Sequence, residues 1–182
     1  MTVAPVRLAR LADFGPVMQL SFCPADYDAA LAHWIALGAG PFFERPHVQL
    51  ENVMYRGKST AIDFSIALGY FGAMQIEIVR QHNDAPSMFR DWRAAGREGV
   101  QHLCVLADDL ELIRAQIEQV KGIVVQEGML PNAAGAVIYV DFGAGTIVEY
   151  LQIGAAGRAG FAAMHAAHVA WDGSNPIRGP GR

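Results

Sequence analysis

Two short apolar runs in separate halves of the chain, each followed at the same distance by an acidic residue, constrain the fold more than any other feature. Residues 17–23 and residues 100–107 are apolar apart from a few polar positions, among them Gln19 and His102 inside apolar flanks. Seven positions after each stands an acid, Asp26 after Gln19 and Asp109 after His102. Short apolar runs of this length read as buried strands. An acid at the head of an amphipathic stretch reads as a helix N-cap, where its carboxylate accepts orphan backbone N–H groups. Asp26 opens a stretch that closes at Gly38 and carries Leu31, Trp34 and Ile35 on one face. Asp109 opens one that closes at Gly122 and carries Leu110, Ile113, Ile117 and Val120 at helical spacing. The closing glycines are expected to supply the left-handed residue that stops each helix.

Each predicted helix is followed by three strand-like runs separated by turn residues. In the first half they are 48–56, 61–70 and 74–80; in the second, 123–126, 136–142 and 146–153. The order strand, helix, strand, strand, strand therefore occurs twice. The chain divides into an N-terminal extension (1–16), a first βαβββ module (17–82), a polar linker (83–99) with a helical piece near 87–95, a second βαβββ module (100–154), and a C-terminal segment (155–182) with a helix over 157–169 and an irregular tail. The class is α+β.

Charge and composition narrow the function. With 52% hydrophobic and 18% charged residues, the chain can build a core and is not intrinsically disordered. A net charge of −4 argues against a nucleic-acid binder, which usually presents a basic surface. Every apolar stretch is broken too early for a membrane helix, and Arg7, Arg10 and Asp13 interrupt the first sixteen residues where a signal-peptide core would lie. Cys23 and Cys104 form neither a zinc pattern nor a disulfide framework. A soluble protein in the reducing cytoplasm is expected.

The last strand of each module carries one acid among apolar residues: Glu77 in Gln75-Ile-Glu-Ile-Val79 and Glu149 in Ile147-Val-Glu-Tyr-Leu151. A buried carboxylate is costly unless it is paired, hydrogen-bonded or bound to a metal. Taken singly, Gln19 fits a hydrogen-bonded strand residue, His102 a satisfied core histidine, and each glutamate a solvent-facing position. Their matched placement in two equivalent modules favours a shared purpose.

At these residues the chain resembles the vicinal oxygen chelate superfamily, the glyoxalase and bleomycin-resistance fold. The resemblance spans about residues 16–153 and rests on Gln19-Leu-Ser-Phe-Cys-Pro-Ala-Asp26, Leu37-Gly-Ala-Gly-Pro-Phe-Phe43, Ile76-Glu-Ile78, Gly99-Val-Gln-His-Leu103 and Val148-Glu-Tyr150. Within the superfamily the chain looks most like the branch containing methylmalonyl-CoA epimerase. The resemblance implies two βαβββ modules forming a cup-shaped mixed sheet, with one divalent metal ion held by Gln19, Glu77, His102 and Glu149. That branch has histidine where this chain has Gln19; a Gln, Glu, His, Glu set is similar to the zinc-type glyoxalase I pattern. Three oxygen donors and one imidazole suit zinc, nickel, cobalt, manganese or iron(II).

The activity so implied is that of a metal-dependent isomerase, epimerase or lyase. It would abstract a proton next to a carbonyl or thioester and stabilise the enolate on the metal, with Glu149 and Glu77 as acid–base groups. A glyoxalase I-type lyase, an extradiol-type dioxygenase and a non-catalytic small-molecule binder of the bleomycin-resistance type are the alternatives. The partner is a small-molecule substrate. The apolar 161–164 segment and the resemblance together point to a homodimer.

Other positions carry weaker expectations. Gln75 shares a strand face with Glu77 and is a candidate supporting hydrogen-bonder. Gln49 or Glu51 could reach the pocket. His165 and His168 could pair on a metal but lack a third ligand in sequence, so packing roles are expected. His33 reads as a helix-face residue, and His47 and His82 as loop residues. Both cysteines read as core. Met54, Tyr55, Phe64, Tyr70, Met74 and Tyr139 line either the cup or the core beneath the helices. Residues 38–41 are too loose for a phosphate-binding loop.

Overall fold

The computed structural model describes residues 11–143 and 145–179. After a 3-10 turn (Leu11–Phe14) the chain runs β1 (Val17–Phe22), α1 (Tyr27–Ala36), β2 (Phe42–Arg45), β3 (Glu51–Tyr55), β4 (Lys58–Ser59), β5 (Phe64–Phe71) and β6 (Met74–Gln81). It continues with α2 (Met88–Ala94), β7 (Val100–Ala107), α3 (Leu110–Gln119), β8 (Ile123–Leu130), β9 (Gly135–Asp141), β10 (Ile147–Ile153), α4 (Ala155–Val169) and β11 (Ile177–Arg178). The strands form one mixed sheet in the order β11-β2-β5-β6-β1-β7-β10-β9-β8-β3-β4. Among the described residues no helix is long and apolar enough to cross a membrane.

The two predicted N-caps are in place. Asp26 accepts from the Ala29 backbone at 2.9 Å, and Asp109 from Glu111 and Leu112 at 2.9 and 3.0 Å. The helix stops differ. Gly38 takes the left-handed conformation (φ +89°), but after α3 it is Lys121 that does so (φ +57°). Gly122 answers a packing need instead: a Cβ there would lie 2.7 Å from Phe142 Cε1.

Strands β1 and β7 pair antiparallel at the middle of the sheet; β6 lies parallel to β1 on one side and β10 parallel to β7 on the other. This local two-fold arrangement sets the matched strands of the sequence repeat side by side. Alternation along each strand then sorts the side chains. Leu20, Phe22, Ile76 and Ile78 pack with Tyr27 and Leu31 of α1, and Val105, Ile138, Val140 and Tyr150 pack with Leu110, Ile113 and Ile117 of α3. Val120, expected on that apolar face, is 55% exposed. The opposite face carries Gln19, Ser21, Gln75, Glu77, His102, Cys104 and Glu149.

Two sequence expectations need correction. The run at 48–56 is not the second strand of the first module. That place is taken by β2, which pairs with β5, while β3 crosses to the far edge and pairs with β8. Alternation in the sequence marks β3 as a strand but says nothing about its partner. The four-residue β2 is too short for a periodicity to emerge. The tail, read as irregular, contributes β11, which pairs parallel to β2 through Ile177 and Arg178.

Candidate functional site

Four adjacent strands, β6, β1, β7 and β10, bring the matched polar residues together. Ser21 is the register partner of both Glu77 and His102, Gln19 that of Gln75 and Cys104, and Cys104 that of Glu149. Glu149 Oε2 lies 3.1 Å from His102 Nε2, and Glu77 Oε2 lies 3.4 Å from the same nitrogen. One ligand-capable atom from each of Glu77, His102 and Glu149 falls within 4.8 Å of the others. Gln19 lines the same cavity as the two glutamates. The four residues singled out in sequence thus share one site.

Further residues orient this group. Gln19 Nε2 donates to Gln75 Oε1 at 2.7 Å, which leaves the Gln19 carbonyl oxygen for the cavity. Gln75 in turn donates to the Tyr70 hydroxyl at 3.1 Å. Ser21 Oγ donates to Glu77 Oε2 at 2.7 Å. Gln101 Oε1 lies 2.5 Å from His102 Nδ1, so Nδ1 carries the proton and Nε2 points at the carboxylates. Cys104 and Tyr139 flank Glu149 as its register partners on β7 and β9. Sequence reasoning anticipated Gln75 but missed the orienting roles of Ser21 and Gln101. Each is set by cross-strand register or an adjacent side chain, which alternation alone does not reveal.

The electrostatics are those of a cation-seeking pocket. His102 is fully buried, and Glu77 and Glu149 are 8% and 6% exposed. Neither carboxylate has a lysine or arginine ion-pair partner among the described residues. Burial alone would lower the His102 pKa, but the hydrogen bonds and negative charge of Glu149 and Glu77 outweigh it and push the group up to about 9. Burial, reinforced by the same two carboxylates, holds the Cys104 thiol and the Tyr139 phenol well above their usual range, so both stay protonated.

A cavity of about 160 Å³ opens above this group. Apart from the site residues its walls are mostly apolar, with Phe64, Ile66, Leu68, Val137, Tyr139 and Leu151 among them. Val48 and Leu50 of the β2–β3 connection line it, not Gln49 or Glu51. Of the six aromatic and methionine candidates, Phe64 and Tyr139 line this cavity, Tyr55 lines a separate pocket beside α2, and Tyr70 packs with Met164 beneath α4. Met74 packs with the α1 cluster.

The remaining histidines take other roles. His168 bonds the Gly40 carbonyl through Nδ1 and the Gly72 amide through Nε2, which makes it a structural clasp and not half of a metal pair. His165 lies edge-on to Tyr70. His33 is an exposed neighbour of Trp34. His47, Asp63 and His82 offer ligand-capable atoms within 4.8 Å of one another, with His47 Nδ1 2.6 Å from Asp63 Oδ1 and His82 Nε2 2.6 Å from Ser65 Oγ. Cys23 and Cys104 are buried and unpaired by disulfide.

The sequence model of the Glyoxalase/Bleomycin resistance protein/Dioxygenase superfamily matches residues 18–140. No curated protein matches the sequence. Among solved structures, a hypothetical protein from Bacillus halodurans C-125 superposes with a TM-score of 0.56 at 12% identity, over 77% of this chain and 95% of the other. Methylmalonyl-CoA epimerase from Mycobacterium tuberculosis gives 0.53 at 16% identity, over 80% and 91%. At these identities the likenesses speak to the fold alone.

Proposed function

Because the chain belongs to the glyoxalase/bleomycin resistance protein/dioxygenase superfamily, we propose that it is a metal-dependent isomerase, epimerase or lyase that moves a proton on the carbon next to a carbonyl or thioester. The observation that carries this reading is the convergence of two buried carboxylates on one imidazole nitrogen at the floor of an apolar cavity, with no lysine or arginine ion-paired to either among the described residues. Such a donor set fits a divalent cation. Gln19, Glu77, His102 and Glu149 would hold it.

The ion, when bound, supplies Lewis-acid polarisation of the substrate's carbonyl oxygen. The protein's own groups do the rest. Glu149, at 6% exposure and facing the cavity, takes the proton from the activated carbon. Glu77 stands on β6, across β1 and β7 from β10; entering the cycle as the carboxylic acid, it would give up its own proton from the other side while Glu149 keeps the one it took. A planar intermediate protonated from either face is what epimerisation requires. Gln101 fixes the His102 ring, Ser21 fixes Glu77, and the apolar walls exclude water from the exchanging proton. His102 is the only histidine of the group, which disfavours the two-histidine, one-carboxylate iron(II) chemistry of oxygenases.

Deuterium incorporation from heavy water, followed by NMR over a panel of acyl-CoAs and 2-oxo acids, tests the assignment. Wild-type protein should exchange one carbon-bound proton in a turned-over substrate. Glu149→Gln should slow this by roughly two to four orders of magnitude. Undiminished exchange in both Glu149→Gln and Glu77→Gln would refute the acid–base roles. A homodimer remains part of this reading, although Phe161 lines the cavity and Met164 packs on Leu68 and Tyr70, so the 161–164 segment is used within the chain. Light scattering at micromolar concentration should give the mass of two chains; a single-chain mass would remove the dimer.

A further inference from the structure

One point on the cavity wall is at odds with its apolar lining. Arg45, the last residue of β2, is the only cation among the described residues that line the cavity. Strand alternation explains its placement: Phe42 is buried on the α1 side, Phe43 packs near Leu68 and Phe161 on the cavity side, and Arg45 falls on the same side as Phe43, opposite Ile66.

What distinguishes Arg45 is that none of the described residues engages its guanidinium. The other eight described arginines each have a hydrogen bond, an ion pair or an aromatic ring: Arg56, Arg90, Arg93, Arg97, Arg114, Arg158 and Arg178 bond carboxylates or carbonyls, and Arg80 lies 4.4 Å from the Tyr27 ring centroid. The guanidinium of Arg45 has no such partner among the described residues, although Glu44 is its sequence neighbour. Glu44 points the other way and accepts from the Tyr27 hydroxyl at 3.3 Å. A free guanidinium at the rim of an apolar cavity is a carboxylate receptor, since its planar fork matches a carboxylate in two parallel hydrogen bonds.

The space sets the size of the ligand. At about 160 Å³ the cavity is close to the roughly 150 Å³ of an engineered apolar cavity that holds benzene. One ring or one branched aliphatic group fills it. A nucleotide tail with several phosphates does not fit inside and would meet only one cation on the lining.

We propose that the cavity binds a compact monocarboxylate, with an aromatic or branched apolar body between the walls and its carboxylate on Arg45. The orientation of its reacting carbon toward Glu77 and Glu149 rests on the function proposed above; the Arg45 contact does not.

Calorimetric titration with three matched pairs tests this: phenylacetate, 3-phenylpropanoate and 4-methylpentanoate, each against its neutral primary amide. Wild-type protein should bind the carboxylate of at least one pair about tenfold more tightly than the amide. Arg45→Gln should abolish that preference, so that acid and amide bind about equally. Metal-free protein and Glu149→Gln should retain it, which separates this contact from the metal centre. The proposal is overturned by equal affinities in every pair, by a preference that survives Arg45→Gln, or by one that disappears when metal is removed. Tighter binding of the coenzyme A ester of the same acid, dependent on Arg45, would also overturn it by moving the recognised anion to the nucleotide tail.

Discussion

Replacing Gln101 with leucine should weaken metal binding while leaving the fold about as stable as before. Gln101 is 1% exposed, and its Oε1 lies 2.5 Å from His102 Nδ1. That hydrogen bond holds the imidazole in the tautomer whose Nε2 faces Glu77 and Glu149, and it makes Nε2 a better donor. Losing such a partner typically costs about 10- to 100-fold in metal affinity. The stability effect has two parts of opposite sign. The leucine strands the His102 Nδ1–H in the interior, at about 1–3 kcal/mol. It also removes Gln101 Nε2, a buried donor with no partner among the described residues, which carries a penalty of about the same size. Leucine is close to glutamine in volume, so the net change should stay within about 1 kcal/mol. Competition with a chromophoric zinc chelator measures the first quantity, and urea unfolding of the metal-free protein at pH 10, above the His102 value of about 9 so that the ring is neutral, the second. Zinc affinity within about twofold of wild type would refute the idea that Gln101 orients a metal ligand.

Two further outcomes follow from the same geometry. In metal-free protein His102 stays protonated up to about pH 9, so a metal must displace that proton. Zinc affinity should therefore rise by about tenfold per pH unit up to about pH 9 and then level off; a flat profile in chelator competition would show that the His102 proton is not displaced. The same raised value gives metal-free protein a stabilisation that is complete below the unfolded value near 6.5 and is lost as pH climbs through 9. In α3, Ile113→Ala should cost about 2–5 kcal/mol by urea unfolding, because the side chain is fully buried. Leu112→Ala, at 50% exposure, should stay within about 0.5 kcal/mol; equal losses would contradict the assigned helix face.

Much of the architecture is legible in the sequence because the module repeat sets equivalent strands side by side. The offsets Gln19–Asp26 and His102–Asp109 encode a strand, a turn and a capped helix in each half, and strand alternation puts Glu77 and Glu149 on the same sheet face as Gln19 and His102. What the sequence does not reveal depends on long-range pairing. Residue β2 partners, the crossing of β3 to β8, and the contact of β11 with β2 depend on which edge is free. The bond of Ser21 to Glu77 depends on the parallel register of β1 with β6, and that of Gln101 to His102 on how two adjacent side chains of β7 turn toward each other. Arg45 gave no sequence signal at all, because a free cation is defined by the absence of partners in three dimensions.

The central claim is that Gln19, Glu77, His102 and Glu149 form a metal centre. Stripping the protein, purified without a metal-chelate tag, and titrating it with zinc tests that claim most directly. Wild type should take up about one equivalent per chain, and Glu77→Gln/Glu149→Gln, with a retained far-ultraviolet circular dichroism spectrum, should take up none. A wild type with no saturable binding, or a double variant that still binds one equivalent, would contradict it.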